Sequence, residues 1–379
     1  MTHKFTIAIV GCGLGGSALA LLMQNIGFNI AVFEQASSFE KIGAGIHISP
    51  NLMYIMEKIG VSKSIEKLGW EPNGFISRDA YSNKTLNYLK LGQEMRDLYG
   101  MPYLTIHRGD LHRAMTEKIN LNNLHMGKKL IALNEIKNKI ELVFNDNSRY
   151  EADIVIGADG IFSKVRNAIT GTDIQCSSYT GQAVFRGLVE LQGLVPQMKH
   201  SVNKWFGKDN KFIIGYFLDR NKTQFYYVAG FSFPYWPRGI SVQPAALHDV
   251  LKIFNEFHDV PKSMLSLTKS VTLWPLHERT ADSTWNKGRI VLIGDACHPM
   301  RPHMMSGASM AIEDAAILVK CLQQYGIDNY SCAFNQYQSY RIERVALVQK
   351  LSSTNTWLKK KTDTDWLFKY NAISPELRL

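Results

Sequence analysis

Ile7-Ala-Ile-Val10 is a short, mostly β-branched run, and Gly11-Cys-Gly13-Leu-Gly-Gly16 breaks it. An Ala- and Leu-rich stretch from Ser17 to Ile26 follows, then Asn29-Ile-Ala-Val-Phe-Glu34. The order reads as strand, glycine turn, buried helix, strand. The glycines fit G-x-G-x-x-G: Gly11 for the tight turn, Gly13 for close approach of a pyrophosphate, Gly16 for packing helix on strand. Leu14 and Gly15 complete the loop. The free N–H groups and dipole at the helix start favour an anion there. Glu34 stands 18 residues after Gly16, at the end of the next strand, placed with Gln35 to meet ribose hydroxyls. An adenosine 2′-phosphate would be repelled by Glu34, so the expected dinucleotide is FAD or NAD rather than NADP.

No charge interrupts Phe5 to Phe33, and Lys4 precedes it, so a signal peptide or membrane helix competes for this segment. Four glycines together with Gln24, Asn25 and Asn29 break the apolar run, which disfavours a span of about 20 residues. Of 379 residues, 45% are hydrophobic and 20% charged, which excludes global disorder and allows two or three packed units. The formal charge of +10 is spread along the chain, and Lys359-Lys-Lys361 is its one compact run. No nucleic-acid fold signature accompanies it, so steering of anionic small molecules is the better use. Cys12, Cys176, Cys297, Cys321 and Cys332 form no CxxC pair, so neither a metal site nor a disulfide framework is expected. A reduced, cytoplasmic protein follows.

Further along, Asp153-Ile-Val-Ile-Gly157 and Arg289-Ile-Val-Leu-Ile-Gly294 are continuous apolar runs closed by glycine, as in parallel strands covered on both faces. The chain thus returns to one nucleotide-type sheet at residues 5, 153 and 289. Runs rich in β-branched and aromatic residues at Asn73–Leu91 and Thr180–Phe231 predict antiparallel strands between the returns. Helices are expected at Pro50–Gly60, with Ser49 as cap, at Arg108–Asn120, and through the last 70 or so residues with a break near Gly326. The fold class is α/β, a Rossmann-type domain with an interleaved antiparallel-sheet domain and a helical C-terminus. Residues 1–72, 101–179 and 276–325 would build the nucleotide domain. Residues 73–100 and 180–275 would build the second domain, and 326–379 the helical end.

Two further motifs flank the expected crevice. Asp159 sits in Ile156-Gly-Ala-Asp-Gly160, a turn beside the cofactor. Gly294-Asp-Ala-Cys-His-Pro299 precedes Gly307 and a helix carrying Glu313-Asp314. Asp295, at a strand's carboxyl end, is placed to accept from a polyol chain. The helix near Gly307 aims its N-terminus at a ring that becomes anionic on reduction.

The three motifs in this order resemble the single-component (class A) FAD-dependent aromatic hydroxylases, which share the para-hydroxybenzoate hydroxylase fold, and the likeness spans nearly the whole chain. Within the family it is strongest to members acting on 6-hydroxynicotinate, then to those acting on salicylate. That nearer likeness rests on Gly43-Ala-Gly-Ile-His-Ile-Ser-Pro-Asn51, Ile106-His-Arg-Gly-Asp-Leu-His112, Gly294 to Met300, Pro302-His-Met304 and Asn355-Thr-Trp-Leu358. The resemblance implies bound FAD, NADH as transient donor, and O2. It implies hydroxylation of a hydroxylated aromatic or pyridine carboxylic acid through a flavin C4a-hydroperoxide, with loss of the carboxylate where the attacked carbon bears it.

The family pattern further implies that Arg108 flanks the cofactor and that Gly294, Asp295, Met304, Met305, Ser306, Gly307 and Ala308 hold the ribityl chain and flavin edge. His47, His303 and Tyr216 would line the substrate site. An imidazole of pKa near 6.5 is a sensible base for a ring hydroxyl; ordinary core packing is the competing reading for all three. Where the family commonly has a small residue and then Gln, this chain has Met305 and Ser306, so Met305 is expected to narrow the pocket or alter how the ring moves. Arg186 and Arg301 are candidate anchors for a substrate carboxylate. His298, His107 and His112 read as structural. A flavin oxidase or reductase, and a non-catalytic flavin-binding protein, remain open at this point, as do monomer and homodimer.

Overall fold

The computed structural model describes residues 5–39, 44–171, 178–237, 239–280 and 283–374. Gly43 and Cys176 lie outside them. The three expected returns do lie side by side. A six-stranded sheet has the spatial order Asn286–Lys287, Ile290–Leu292, Ile154–Gly157, Ile7–Val10, Ile30–Phe33, Leu124–His125. All its pairings are parallel except that of the first strand. Ile7–Val10, Ile30–Phe33 and Ile154–Gly157 are buried at every position, the burial on both faces that their unbroken apolar runs require. Helix Leu14–Asn25 packs on helix Gly307–Tyr325.

The second domain is an eight-stranded sheet. Its order is Gln243–Pro244, Thr268–Glu278, Ser178–Val189, Phe225–Ser232, Phe212–Phe217, Ser201–Phe206, Gly74–Asp79, Thr85–Lys90. It is not wholly antiparallel: Gly74–Asp79 comes from the early segment and runs parallel to Ser201–Phe206. Such a pairing needs a long crossover, here supplied by the intervening nucleotide domain. Strand Thr268–Glu278 continues past residue 275.

Several expectations need correction. Gly294 does not close a strand; the strand ends at Leu292 and Gly294–Ala296 is a 3-10 turn. Ser49 precedes helix Pro50–Lys58 but does not cap it by side chain; its hydroxyl donates to Asn51 at 2.6 Å instead. The helix from Arg108 stops at Thr116. Beyond Gly326 one helix, Tyr330–Ser353, covers the end of the chain, and after it only Asp365–Phe368 is α-helical among the described residues. Two pieces went unforeseen: the antiparallel pair of Gly45–Ile48 with Leu104–His107, and a meander of Leu130–Ile136, Lys139–Phe144 and Arg149–Ala152. No helix among the described residues is long and apolar enough to cross a membrane.

Candidate active site

One cavity runs between the two sheets. The glycine turn and the start of helix Gly307–Tyr325 form one wall, and the large sheet forms the other. On the first wall Gly11 has φ 95°, and a Cβ there would lie 2.4 Å from the Ala158 carbonyl oxygen. A Cβ on Gly16 would lie 2.0 Å from the Gly11 carbonyl oxygen, so only glycine lets helix meet strand. Gly13 differs: a Cβ there would meet nothing within 4 Å, because its face opens on the cavity.

That wall fits a dinucleotide on its own geometry. Helices Leu14–Asn25 and Gly307–Tyr325 both begin at the cavity, at Leu14 and Gly307, and neither start has a side-chain cap. Their first N–H groups are therefore free for an anion or an electron-rich ring edge. Arg108, Asp295, Gly294, Leu14, Gly15 and Ala308 face the same space. Asp295 stands open to the cleft yet is ringed by protein. Burial raises its carboxyl, against the pull of His298 and Arg108.

Other expected cofactor residues act through the backbone. Glu34 accepts from the N–H groups of Cys12 and Ala36, both at 2.9 Å, which leaves part of its carboxylate free. Gln35 is exposed beside it. Asp159 turns away from the cavity. It accepts from Ser163 Oγ at 2.5 Å and from the N–H groups of Lys164 and Val165, anchoring helix Lys164–Thr170. Ala158 and Gly160 line the cavity in its place. Met304 and Ser306 face a smaller neighbouring void, and Met305, left-handed at φ 59°, borders both spaces.

A buried ionic cluster holds this loop. Glu313 and Asp314 on helix Gly307–Tyr325 meet Arg341 at 2.6 and 2.7 Å, and Glu313 also meets Arg344 at 2.8 Å. Asp314 accepts from the Gly294 N–H at 2.9 Å and contacts His298 Nε2 at 2.5 Å. Burial works to raise the Asp314 carboxyl, but His298 and Arg341 outweigh it and hold it at about 2. His298 is thus a loop support, as expected. His107 accepts the Gly109 N–H at 3.0 Å, and His112 reaches the Cys12 carbonyl at 2.6 Å, so both are structural.

Tyr216 on the large sheet, His47 from strand Gly45–Ile48 and His303 from the turn Pro302–Met304 come to the cavity together. The His47 ring lies 4.4 Å from that of Tyr216, edge on, and His303 meets Phe212 at 5.1 Å. His47 Nδ1 is 2.9 Å from the Tyr103 hydroxyl, while its Nε2 and both nitrogens of His303 are buried without a partner. The expectation of imidazoles near pKa 6.5 fails. Burial and the nearby Lys204 pull His47 to about 3; burial, Lys204 and Arg301 pull His303 to about 2. Both rings are neutral acceptors. Tyr226 and Lys204 also face the cavity and escaped the sequence reading. Of the two candidate arginines, Arg301 is spent on Glu278 at 2.5 Å, whereas Arg186 faces the cavity with its Nε unpartnered.

Comparison with known proteins agrees with this geometry. Residues 4–352 match the family model described as FAD binding domain. The chain is 39% identical to 6-hydroxynicotinate 3-monooxygenase of Bordetella bronchiseptica, over 100% of this chain and 98% of that protein. It is 37% identical to the enzyme of the same name from Pseudomonas fluorescens, again over 100% and 98%. Among solved structures, a salicylate hydroxylase substrate complex superposes with a TM-score of 0.84 at 24% identity, covering 100% of both chains. The chain belongs to the FAD-binding aromatic monooxygenase family.

Proposed function

We propose that the chain uses NADH and O2 to hydroxylate a hydroxylated pyridine carboxylic acid, with 6-hydroxynicotinate the best candidate. The observation that carries this reading is the pairing of two unlike walls in one cavity. An uncapped, side-chain-poor cradle faces two neutral histidines with unpartnered nitrogens. The relatives' printed name favours the substrate. FAD, when bound, accepts the electrons of NADH and supplies the activated oxygen.

The residues do the rest. Gly13 and the helix start at Leu14 hold the pyrophosphate, Glu34 the adenosine ribose and Asp295 the ribityl hydroxyls. Arg108 flanks the cofactor, and the N–H groups at Gly307 and Ala308 meet the flavin edge. With Nδ1–H donating to Tyr103, His47 Nε2 accepts a hydrogen bond from the ring hydroxyl and polarises it, enriching the ring that is attacked. His303 and Tyr216 fix the ring's orientation. Position 3 of nicotinate bears the carboxylate, so oxygenation there expels it. One oxygen atom enters the ring, the other leaves as water, NADH gives two electrons, and the carboxylate departs as CO2.

The test is NADH oxidation by FAD-loaded protein with 6-hydroxynicotinate, salicylate or 4-hydroxybenzoate, with products identified. 6-Hydroxynicotinate should speed oxidation by at least roughly 100-fold and yield a decarboxylated dihydroxypyridine. Stimulation by salicylate alone would move the substrate to the benzene series. Peroxide as sole product with every acid would replace the reading by a flavin oxidase.

A further inference from the structure

The large sheet carries a row that no local motif reveals. Lys204 pairs with Ile214, Ile214 with Val228, and Val228 with Arg186, so the four side chains cross four adjacent strands in register. All four line the cavity. The row is a floor with a cation at each end and two β-branched residues between. Strand spacing of about 4.8 Å sets the ends roughly 14 Å apart at the backbone. One single-ring acid is too short to span that distance between backbones.

The two ends are not equivalent. The Arg186 guanidinium stacks on Trp274 at 4.5 Å. Lys204 is 2% exposed, and among the described residues no carboxylate pairs with its Nζ. Its polar contact is the His303 carbonyl at a long 3.4 Å, and its charge rests on the faces of Phe206 at 4.6 Å and Phe212 at 5.3 Å. A buried ammonium without an acid is costly unless a ligand completes it. The contact with His303, and the field Lys204 exerts on His47, set it at the end of the floor where both imidazoles sit.

We propose that Lys204 is the counter-ion for the substrate's carboxylate, and so the residue by which this cavity selects an acid over the same ring without one. This deepens the function proposed above and rests on it. A carboxylate is anionic throughout the working range, whereas the ring hydroxyl is matched by the neutral acceptors on His47 and His303. Burial pulls the Lys204 amine down to about 7, so a bound anion also stabilises its charged form.

The experiment titrates FAD-loaded protein with 6-hydroxynicotinate and with 2-hydroxypyridine, its analogue lacking the carboxylate, reading the flavin absorbance change. In Lys204→Met the Kd for 6-hydroxynicotinate should rise roughly 10- to 100-fold, and that for 2-hydroxypyridine by less than about threefold. Lys204→Arg should recover part of the loss. FAD content and melting temperature, measured on each variant, serve as the folding control. Equal weakening of both ligands, or of neither, overturns the proposal, as does an acid-selective loss in Arg186→Met but not in Lys204→Met. Should salicylate perturb the flavin and 6-hydroxynicotinate not, the substrate falls and Lys204 is judged on salicylate against phenol. If no aromatic acid binds the unaltered protein, both readings fall.

Discussion

The two walls of the cavity treat polar groups in opposite ways. On the nucleotide side, Asp159 and Asp314 have their oxygens answered by backbone N–H groups, hydroxyls or cations, and Glu34 by two N–H groups. On the side facing the large sheet, His47 Nε2, both nitrogens of His303 and Arg186 Nε are buried with nothing to bond. Unsatisfied buried groups are rare because each costs about 1–3 kcal/mol. The first wall is nearly finished, His298 Nδ1 being an exception, and the groups facing the second are an incomplete set that a ligand finishes.

The contrast can be broken most severely at Gly16. Gly16→Val forces a side chain into the Gly11 carbonyl, and no FAD-loaded protein should be recovered, as judged by flavin absorbance of the soluble fraction. Next comes Arg341→Met, which strands Glu313 and Asp314 as buried, weakened pairs. Chemical denaturation should register a loss of about 3–5 kcal/mol. A sheet-wall change, Tyr226→Phe, removes a hydroxyl whose polar neighbour is the Gly45 backbone and should cost less than about 1 kcal/mol in the same assay.

A pH experiment sharpens the comparison further. His47 and His303 have folded pKa values near 3 and 2, below the ordinary 6.5, so the unfolded chain binds more protons between those limits. Stability therefore falls as pH drops from about 6.5 towards 3. His303→Gln should flatten that acid limb in pH-dependent melts, while leaving FAD content unchanged. Ser49→Ala should cost about 1 kcal/mol in chemical denaturation, because the buried hydroxyl caps no helix but donates to Asn51.

The same contrast explains what could be read from residues alone. The nucleotide wall is written in contiguous stretches, since a turn's glycines and the next strand's acid lie within one βαβ unit, Ile7 to Glu34. A carboxylate in a glycine turn serves a helix N-terminus as readily as a ligand, and Asp159 does the former. The sheet wall is assembled from Ser201–Phe206, Phe212–Phe217, Phe225–Ser232 and Ser178–Val189, and register between distant strands leaves no local trace. Lys204 in Ser201-Val-Asn-Lys-Trp-Phe206 looks like any solvated strand lysine. His47 and His303 were found only through family resemblance, and the depth of their burial, which decides their charge, was not legible at all.

The most direct measurement is a turnover in 18O2 with FAD-loaded protein, NADH and 6-hydroxynicotinate. One labelled oxygen atom should appear in a dihydroxypyridine, with CO2 released and one NADH consumed per product. NADH consumed with equivalent peroxide, and the acid recovered unlabelled, would contradict a cavity built to oxygenate it.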